Sequence, residues 1–248
     1  MCQDCGCGDP EVVPIDVQHR ILAKNDATAA HNRAHFVDDG ILCINLMGSP
    51  GAGKTAVLEA TARAAGDPSR FAALAGDLAT EHDADRLRIA GIRSRAITTG
   101  QACHLDAELV HRALHHFDLD GVDTLFIENV GNLVCPAVYD LGQAVNVVAL
   151  SVTEGEDKPL KYPTMFMGAD LVLLTKLDLL RHLPHVRIER IVDALSRVMP
   201  EPRVISLSAL DGSGFADWLA WLSGVAQASS LRPGGLGDAG WKPALHQG

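Results

Sequence analysis

The chain has 248 residues, of which 47% are hydrophobic and 21% charged, proportions typical of a soluble globular protein with one sizeable core. Its formal net charge is -10, from 31 acidic against 21 basic side chains, which argues against nucleic acid or an anionic membrane as a partner and favours basic partners or cationic cargo. No apolar run reaches the roughly 18 residues of a membrane span, and no secretion signal is recognisable, so we expect a cytoplasmic protein.

Three segments are predicted along the chain. The N-terminal segment lacks apolar periodicity, and the C-terminal one has the Gly- and Pro-containing composition of a flexible chain. Between them, apolar runs alternate with helical patterns. The predicted boundaries are 1–14 for a flexible Cys-rich metal-binding arm, 15–228 for a folded domain with a helical lead-in, and 229–248 for a flexible tail.

The folded domain is predicted to belong to the α/β class. A helical lead-in over 15–38, with a break near Asn25 and Asp26, precedes the first buried strand. Apolar runs predict strands at 41–47, 71–75, 94–98, 124–127, 145–152, 171–175 and 204–207. Helical patterns lie at 55–65, 83–90, 105–117, 186–199 and 215–222. This alternation indicates βαβ units and a doubly wound, mostly parallel sheet of about seven strands.

A phosphate-loop pattern, GSPGAGKT, follows the first predicted strand directly and precedes a helical pattern. In such a loop the backbone N–H groups face phosphate oxygens, so the domain is predicted to be a P-loop NTPase. Lys54, solvent-facing in the empty protein, should reach the β- and γ-phosphates, and the Thr55 hydroxyl should bind Mg²⁺. The other predicted nucleotide contacts in this loop are Gly48, Ser49, Gly51, Ala52 and Gly53.

The predicted strand at 171–175 ends in a Thr-Lys-x-Asp sequence that indicates guanine specificity. The Asp178 carboxylate can accept hydrogen bonds from two donors on guanine that adenine lacks at that edge. Lys176 can pack its aliphatic stem over the base, and Ser208 with Ala209 is similar to the second guanine-contacting loop of GTPases. Thr175 stands where GTPases usually have Asn, which leaves one polar contact without its usual residue.

Carboxylates at the ends of neighbouring predicted strands are candidates for magnesium and water. Asp77 follows the strand at 71–75, and Glu128 ends the strand at 124–127. Together with Lys54 they form the predicted catalytic set, and Gly131 can offer its N–H to the γ-phosphate. The alternative for each carboxylate is a turn-capping role. No glutamine is placed to orient water, so slow hydrolysis is expected.

Cys2, Cys5 and Cys7 place three thiols within six residues of the arm. Thiolates are soft ligands suited to Zn, Cu(I) or Ni, with the nearby α-amine as a fourth donor. The alternative is a redox CxxC motif, which normally begins a helix beside a sheet. Here no strand precedes the cysteines, so metal binding is favoured.

Cys103, His104 and Cys135 form a second predicted metal site, because both segments should emerge at the carboxyl edge of the sheet. A symmetry mate can complete its coordination. The alternative for Cys103 and Cys135 is a role in the core, which is the role predicted for Cys43 because it lies within a strand. His111 and His115 lie four residues apart on one helix face, but no third ligand is evident in the sequence, so they are interpreted as solvated surface.

Taken together, these features resemble the hydrogenase nickel-incorporation GTPases, the HypB family. The matching segments are the cysteine arm at 1–8, Asn32-Arg33, the stretch 46–55, the sequence GDLAT at 76–80 with Asp83 and Arg86, and the stretches 101–105, 128–136 and 154–163.

The resemblance implies a SIMIBI-like GTPase that forms a GTP-dependent homodimer and passes nickel toward the hydrogenase large subunit with an accessory nickel metallochaperone. It implies a nickel site at Cys2, Cys5 and Cys7, a weaker nickel or zinc site at Cys103, His104 and Cys135, and nucleotide contacts at Lys54, Thr55 and Asp178, with GTP, GDP, Mg²⁺ and Ni²⁺ as ligands.

The chain departs from the family in its histidines. Many members carry a long histidine-rich stretch after the arm, whereas only His19, His31 and His35 precede the first strand here, so bulk nickel storage is not expected. Two alternatives stay open, a urease-type nickel-insertion GTPase, whose family lacks this cysteine arm, and a nickel buffer or sensor. GTP turnover distinguishes a maturation GTPase from a buffer or sensor, because only the maturation GTPase must hydrolyse GTP and hand the metal on.

Overall fold

A computed structural model describes residues 15–77, 81–100, 102 and 104–230, and the side chains of those residues from Arg20 to Ser229. The predicted ligands Cys2, Cys5, Cys7 and Cys103 lie outside the described residues, as does the stretch 231–248 of the predicted tail.

Seven parallel strands form one sheet in the order β3-β2-β4-β1-β5-β6-β7. The strands are β1 (Leu42–Gly48), β2 (Phe71–Asp77), β3 (Arg93–Thr98), β4 (Thr124–Glu128), β5 (Val145–Ser151), β6 (Leu171–Thr175) and β7 (Val204–Ser206). All the predicted strands occur, and the doubly wound α/β class is confirmed. The central strand β1 has β4 on one side and β5 on the other, so the segments that follow these three strands meet at one edge.

The α-helices of the described residues are α1 (Ile15–Asp38), α2 (Lys54–Ala65), α3 (His82–Ile89), α4 (Ala107–Leu114), α5 (Lys158–Lys161), α6 (Pro163–Met167), α7 (Ile188–Ser196) and α8 (Phe215–Ser230). The short helices α5 and α6 were not predicted, because two turns that each begin near a proline carry too little periodicity to read. Helix α8 continues past its predicted end because Val225 and Ala226 still pack on the core. Within the described residues, no helix combines the length and apolar character that crossing a membrane requires.

Helices cover both faces of the sheet and make a three-layer sandwich. One face packs against α2, α3 and α8, with Trp218 buried beside Phe126 of β4. The other face packs against α1 and α4 on one side of β1 and against α6 and α7 on the other. Cys43 is fully buried in this core, as predicted.

Helix α1 is continuous, and the predicted break near Asn25 and Asp26 is wrong. Asn25 is only 8% exposed because its side chain faces the fold. Its Nδ2 donates to the carbonyl oxygen of Asp140 at 2.8 Å, and its Oδ1 accepts from the N–H of Ala107 at 2.9 Å. A polar residue that looks like a helix breaker in sequence therefore joins α1 to the start of α4.

We predict that Asn25→Ala lowers the free energy of unfolding by about 1–3 kcal/mol, because it leaves the buried Ala107 N–H and the Asp140 carbonyl without partners. Urea denaturation monitored by circular dichroism measures this change. Asp26→Ala, at the exposed neighbouring position, is the matched control and should change stability by less than about 0.5 kcal/mol. Equal effects of the two variants would show that helix propensity, not the buried bonds, is being measured.

Candidate functional site

The phosphate loop joins β1 to α2 at the carboxyl edge of the sheet. Gly51 and Gly53 adopt φ values of 74° and 94°, which only glycine takes readily. A Cβ at Gly48 would lie 2.4 Å from the carbonyl oxygen of Ala149 in β5, so no larger residue fits there. The glycines of the motif are thus required by backbone conformation and by close strand contact.

Lys54 is folded back into this loop, and the expectation of a solvent-facing side chain in the empty protein is wrong. Its Nζ donates to the carbonyl oxygens of Gly48 and Ser49, both at 3.3 Å. Burial lowers the pKa of Lys54, and the nearby carboxylates of Glu128, Asp83 and Glu154 oppose that shift. The loop therefore holds a cation where phosphate oxygens would be received.

Glu128 meets the loop from the end of β4. Its Oε1 accepts a hydrogen bond of 2.7 Å from the Thr55 hydroxyl, and the side chain is 4% exposed. Its Oε2 is buried without a hydrogen-bond partner among the described residues. Burial raises the pKa of Glu128 to about 7, although Thr55 and Lys54 oppose the shift. A hydroxyl and an unsatisfied carboxylate oxygen at one point are the oxygen donors that Mg²⁺ prefers, so these residues fit that ion.

Asp77 ends β2 at the same edge and is partly buried. Its backbone carbonyl accepts from the N–H of Thr99 at 2.9 Å, which ties the ends of β2 and β3 together. Sequence reasoning placed no chemical role on Asp83, yet its charge acts on both Lys54 and Glu128. Asp83, in the first turn of α3, is therefore near enough to add acidic charge to this site. In the sequence, only its position in the helical pattern after β2 indicated that it could lie there.

The segment after β4 packs directly on the phosphate loop. A Cβ at Gly131 would lie 2.9 Å from backbone atoms of Pro50, and Asn132 forms an isolated bridge with Gly48. This close approach places the Gly131 backbone beside the loop, where its N–H was predicted to meet a γ-phosphate.

Asn129 is a buried organising residue that sequence reasoning missed. Its Oδ1 accepts from the N–H groups of Leu105 at 3.2 Å and Val130 at 3.0 Å, and its Nδ2 donates to Asn45 Oδ1 at 3.2 Å. It therefore joins the end of β4 to the segment that carries His104. The sequence shows only that Asn129 directly follows a predicted strand. Its partners Asn45 and Leu105 are distant in the chain, so the sequence does not indicate its role.

Glu154, which follows β5, binds the other side of the phosphate loop. Its Oε2 accepts from the Ser49 hydroxyl at 2.5 Å, and its Oε1 accepts from the N–H of Ser151 at 2.9 Å. Lys158 lies 3.5 Å from the same carboxylate. Ser49 is thus held by a charged acceptor, a contact that the motif alone does not indicate.

The predicted base-binding loops contact each other and the phosphate loop. The Thr175 hydroxyl donates to the carbonyl of Ala52 at 2.6 Å, and Lys176 Nζ donates to that of Gly51 at 2.6 Å. Lys176 takes φ 62°, the one positive φ of a non-glycine among the described residues. Ser208 Oγ donates to Asp178 Oδ1 at 2.7 Å. Thr175 therefore makes a structural contact, and Asp178 is positioned by the second loop.

Ala209, the other residue predicted in that second loop, is held from α2. Arg63 donates to its carbonyl oxygen at 3.1 Å. Both base-binding loops are in this way attached to elements that begin at the phosphate loop.

The second predicted metal region is described in part. The ring of His104 stacks on Tyr139 with centroids 4.0 Å apart, and burial lowers the pKa of His104. Cys135 is partly buried in a short 3₁₀ turn, four residues before Tyr139 in the same segment. In the part of the chain that the structure describes, no three His, Cys, Asp or Glu side chains are already arranged to hold a metal ion.

Comparison with known proteins is consistent with this arrangement. Residues 42–205 match the family described as CobW/HypB/UreG, nucleotide-binding domain. The chain is 50% identical over 210 residues to the hydrogenase maturation factor HypB of Azotobacter chroococcum mcd 1, covering 84% of this chain and 68% of that protein. The chain belongs to the HypB family.

Two proteins from Helicobacter pylori provide one structural comparison and one further sequence comparison. A crystal structure of HypB from Helicobacter pylori in complex with nickel superimposes with a TM-score of 0.79 at 40% identity, covering 85% of this chain and 98% of that one. A Helicobacter pylori (strain J99) protein named hydrogenase/urease maturation factor HypB is 42% identical, over 84% of this chain and 86% of that protein. The P-loop NTPase fold is therefore common to this chain and to solved HypB structures.

We predict that the buried acid of this HypB-family site makes stability depend on pH in the absence of nucleotide and magnesium. The pKa of Glu128 rises from 4.5 to about 7 on folding, so the folded protein binds a proton that the unfolded chain releases between those values. The free energy of unfolding contributed by this group is therefore lost as pH rises from about 4.5 to about 7.

Glu128→Gln removes the ionisation, so its stability relative to the wild type should increase across that window and then level off. Urea titrations at a series of pH values in EDTA measure the difference. Glu201→Gln at an exposed position is the control and should show no such trend. A constant difference between Glu128→Gln and the wild type would contradict the raised pKa.

Proposed function

We propose that this protein is a cytoplasmic, GTP-hydrolysing metallochaperone that binds nickel and helps to deliver it to the hydrogenase large subunit. The observation that carries the proposal is the meeting of the phosphate loop, a buried acid and a carboxylate-bearing base loop at one sheet edge. Hydrogenase maturation is proposed as the process because the relatives of this chain are named hydrogenase maturation factors. A HypB relative has been crystallised with nickel, which supports the choice of cargo.

In the proposed hydrolysis, the chain contributes positioning and charge. Backbone N–H groups of residues 48–55 would bind the phosphates, and Lys54 would leave its carbonyl partners to reach the β- and γ-phosphates. The Gly131 N–H would face the γ-phosphate from the segment packed on Pro50. Glu128 or Asp77 would orient the attacking water. With no glutamine placed for that role, turnover is expected to be slow.

Magnesium fits the Thr55 hydroxyl and the unsatisfied oxygen of Glu128. When bound with the nucleotide, Mg²⁺ would neutralise charge on the phosphates. Thr55 and Glu128 would hold that ion, which would give the unsatisfied Glu128 oxygen a positive partner.

Guanine selection is assigned to Asp178, with Lys176 packed over the base. The Ser208 hydroxyl orients the Asp178 carboxylate through one oxygen, and the two oxygens keep lone pairs that can accept from both guanine donors. Thr175 supports the loop through Ala52 and need not supply the polar contact that Asn makes in other GTPases.

Nickel handling is assigned to the cysteines. The Cys2, Cys5 and Cys7 arm would bind nickel, and Cys103, His104 and Cys135 would form a second nickel or zinc site. The family resemblance implies a GTP-dependent homodimer, and its second protomer would complete the coordination. An accessory nickel metallochaperone would be the further partner.

The alternatives differ in substrate protein and in turnover. One relative carries the name hydrogenase/urease maturation factor, so urease activation is the second candidate function. Nickel transfer to apo-hydrogenase large subunit and to apo-urease, each measured with GTP and with a non-hydrolysable analogue, distinguishes the targets. Equal transfer with both nucleotides would favour a nickel buffer.

We predict that Asp178→Asn weakens GTP and favours xanthosine triphosphate, because an amide can donate to the carbonyl that replaces the guanine amine. Steady-state hydrolysis of both nucleotides measures the change in kcat/KM, which should fall for GTP by about a hundredfold or more. Asp217→Asn, an exposed site on α8, is the control and should leave the preference unchanged. If Asp178→Asn keeps its preference for GTP, the base assignment is wrong.

We predict that nucleotide and metal are coupled at the second site and nearly independent at the arm. A dimer that closes over GTP would complete the Cys103, His104 and Cys135 site, so GTP should tighten metal there by the factor with which metal tightens the GTP-bound dimer. A coupling of about 1–3 kcal/mol corresponds to a several-fold to hundredfold effect.

Nickel affinity and sedimentation with GDP and with a GTP analogue test this division of roles. Cys103→Ala/Cys135→Ala should abolish the nucleotide dependence, whereas Cys2→Ala/Cys5→Ala/Cys7→Ala should retain it. The reverse pattern would exclude the assignment of coupling to the second site.

A further inference from the structure

Four histidines from two helices form one contiguous cluster, which we call the histidine cluster: His31 and His35 of α1 with His111 and His115 of α4. The two pairs meet through His31 and His111, whose ring centroids are 5.0 Å apart. Sequence reasoning left His111 and His115 as surface because no third ligand was evident. The packing of α1 on α4 supplies a third and a fourth imidazole.

Each pair already has its nitrogens at a chelating separation. The Nε2 atoms of His31 and His35 are 3.1 Å apart, and those of His111 and His115 are 3.0 Å apart. Two nitrogens that lie about 2.1 Å from one metal ion are separated by roughly 3.0–3.4 Å. A proton bridges such a pair in the metal-free protein, and a metal ion can replace it.

The protonation of His111 is set by a buried neighbour. Asn32 is fully buried, and its Nδ2 donates to the carbonyl oxygens of Ala107 at 2.9 Å and Leu141 at 3.2 Å. Its Oδ1 is therefore an acceptor, and His111 Nδ1, 3.1 Å away, must be the donor. With its proton on Nδ1, a neutral His111 presents an unprotonated Nε2 toward His115. Such an outer hydrogen bond is the usual way in which a protein orients a metal-binding imidazole.

The surroundings favour a cation. His35, His111 and His115 line a cavity of about 650 Å³ that Asp39, Asp118, Asp120 and Asp123 also line. Arg93 lies 3.5 Å from Asp118, and Arg70 pairs with Asp123, so two of the four carboxylates have a basic partner among the described residues. The remaining acidic charge lowers the free energy of a positive ion at the mouth of the cavity.

We propose that the histidine cluster binds one divalent late transition-metal ion, shared between α1 and α4. Imidazole nitrogen suits Ni²⁺, Zn²⁺ and Cu²⁺, whereas Mg²⁺ and Ca²⁺ prefer oxygen, so the nucleotide's magnesium does not compete. One pair alone offers two ligands, but the contact of His31 with His111 brings three or four nitrogens within side-chain reach of one ion. Binding requires His35 and His115 to rotate inward, since the described side chains do not yet surround one point. Both side chains are exposed, and their ring contacts are with His31 and His111, the other members of the cluster.

This site is remote from the nucleotide. The cavity is lined by Gly40 and Ile41, which precede β1, and by Val122 and Asp123, which precede β4. In a parallel sheet the segments that precede the strands lie at the edge opposite the phosphate loop. Metal binding at the histidine cluster should therefore be independent of GTP and of the cysteine sites.

The test uses the full chain with Cys2, Cys5, Cys7, Cys103 and Cys135 replaced by Ala, so that thiolate ligands outside the core are removed. Equilibrium dialysis against Ni²⁺ should still show one bound equivalent, without thiolate-to-nickel charge-transfer absorption. Adding His35→Gln/His115→Gln should remove that equivalent, and either single change should weaken it by roughly tenfold or more.

His116→Gln/His185→Gln in the same background is the matched control, because both histidines are exposed and lie outside the cluster. It should keep the bound equivalent. Circular dichroism melting curves of all variants establish that they are folded. Retention of nickel in the His35/His115 variant, or its loss in the control variant, would overturn the proposal. Failure of the cysteine sites to bind nickel in the wild type would instead count against the proposed delivery function and leave this result intact.

Discussion

The Glu128 carboxylate lies in the protein interior at the base of the phosphate loop, with one oxygen bonded to Thr55 and the other without a partner among the residues that the structure describes. An ionised acid in that position is unfavourable unless a cation compensates it. The nucleotide-free protein compensates with Lys54, which gives up solvent to lie in the loop. The charges of the two groups act on each other across the base of the loop, and each is held by its own contacts, Lys54 by the carbonyls of Gly48 and Ser49 and Glu128 by Thr55.

Buried amides and carboxylates keep the surrounding segments in place. Asn129 holds the segment with His104 against β4, while Glu154 holds Ser49 from the β5 side. Glu154 thereby fixes the phosphate loop from the β5 side, and Asn129 attaches the second predicted metal region to the strand that carries Glu128.

The sequence predicts the sheet and the phosphate loop well because both depend on local patterns. Apolar runs mark buried parallel strands, and the glycines of the loop are required by its own backbone. It does not predict the role of Asn25, which reads as a helix breaker until its distant partners at 107 and 140 are known. The sequence does not predict the histidine cluster for the same reason, since its two pairs of histidines lie 76 to 84 residues apart in the chain and become neighbours only when α1 packs on α4. Lys54 was misplaced because the sequence does not show which carbonyls accept from it when phosphate is absent.

The base loop and the phosphate loop are joined by two side-chain bonds, from Thr175 to Ala52 and from Lys176 to Gly51. These bonds end on carbonyl groups of the same short turn that receives the phosphates. Loosening of that turn would release the base loop at the same time, and the reverse also holds. A nucleotide held by both loops would therefore lose its phosphate contacts and its base contacts together.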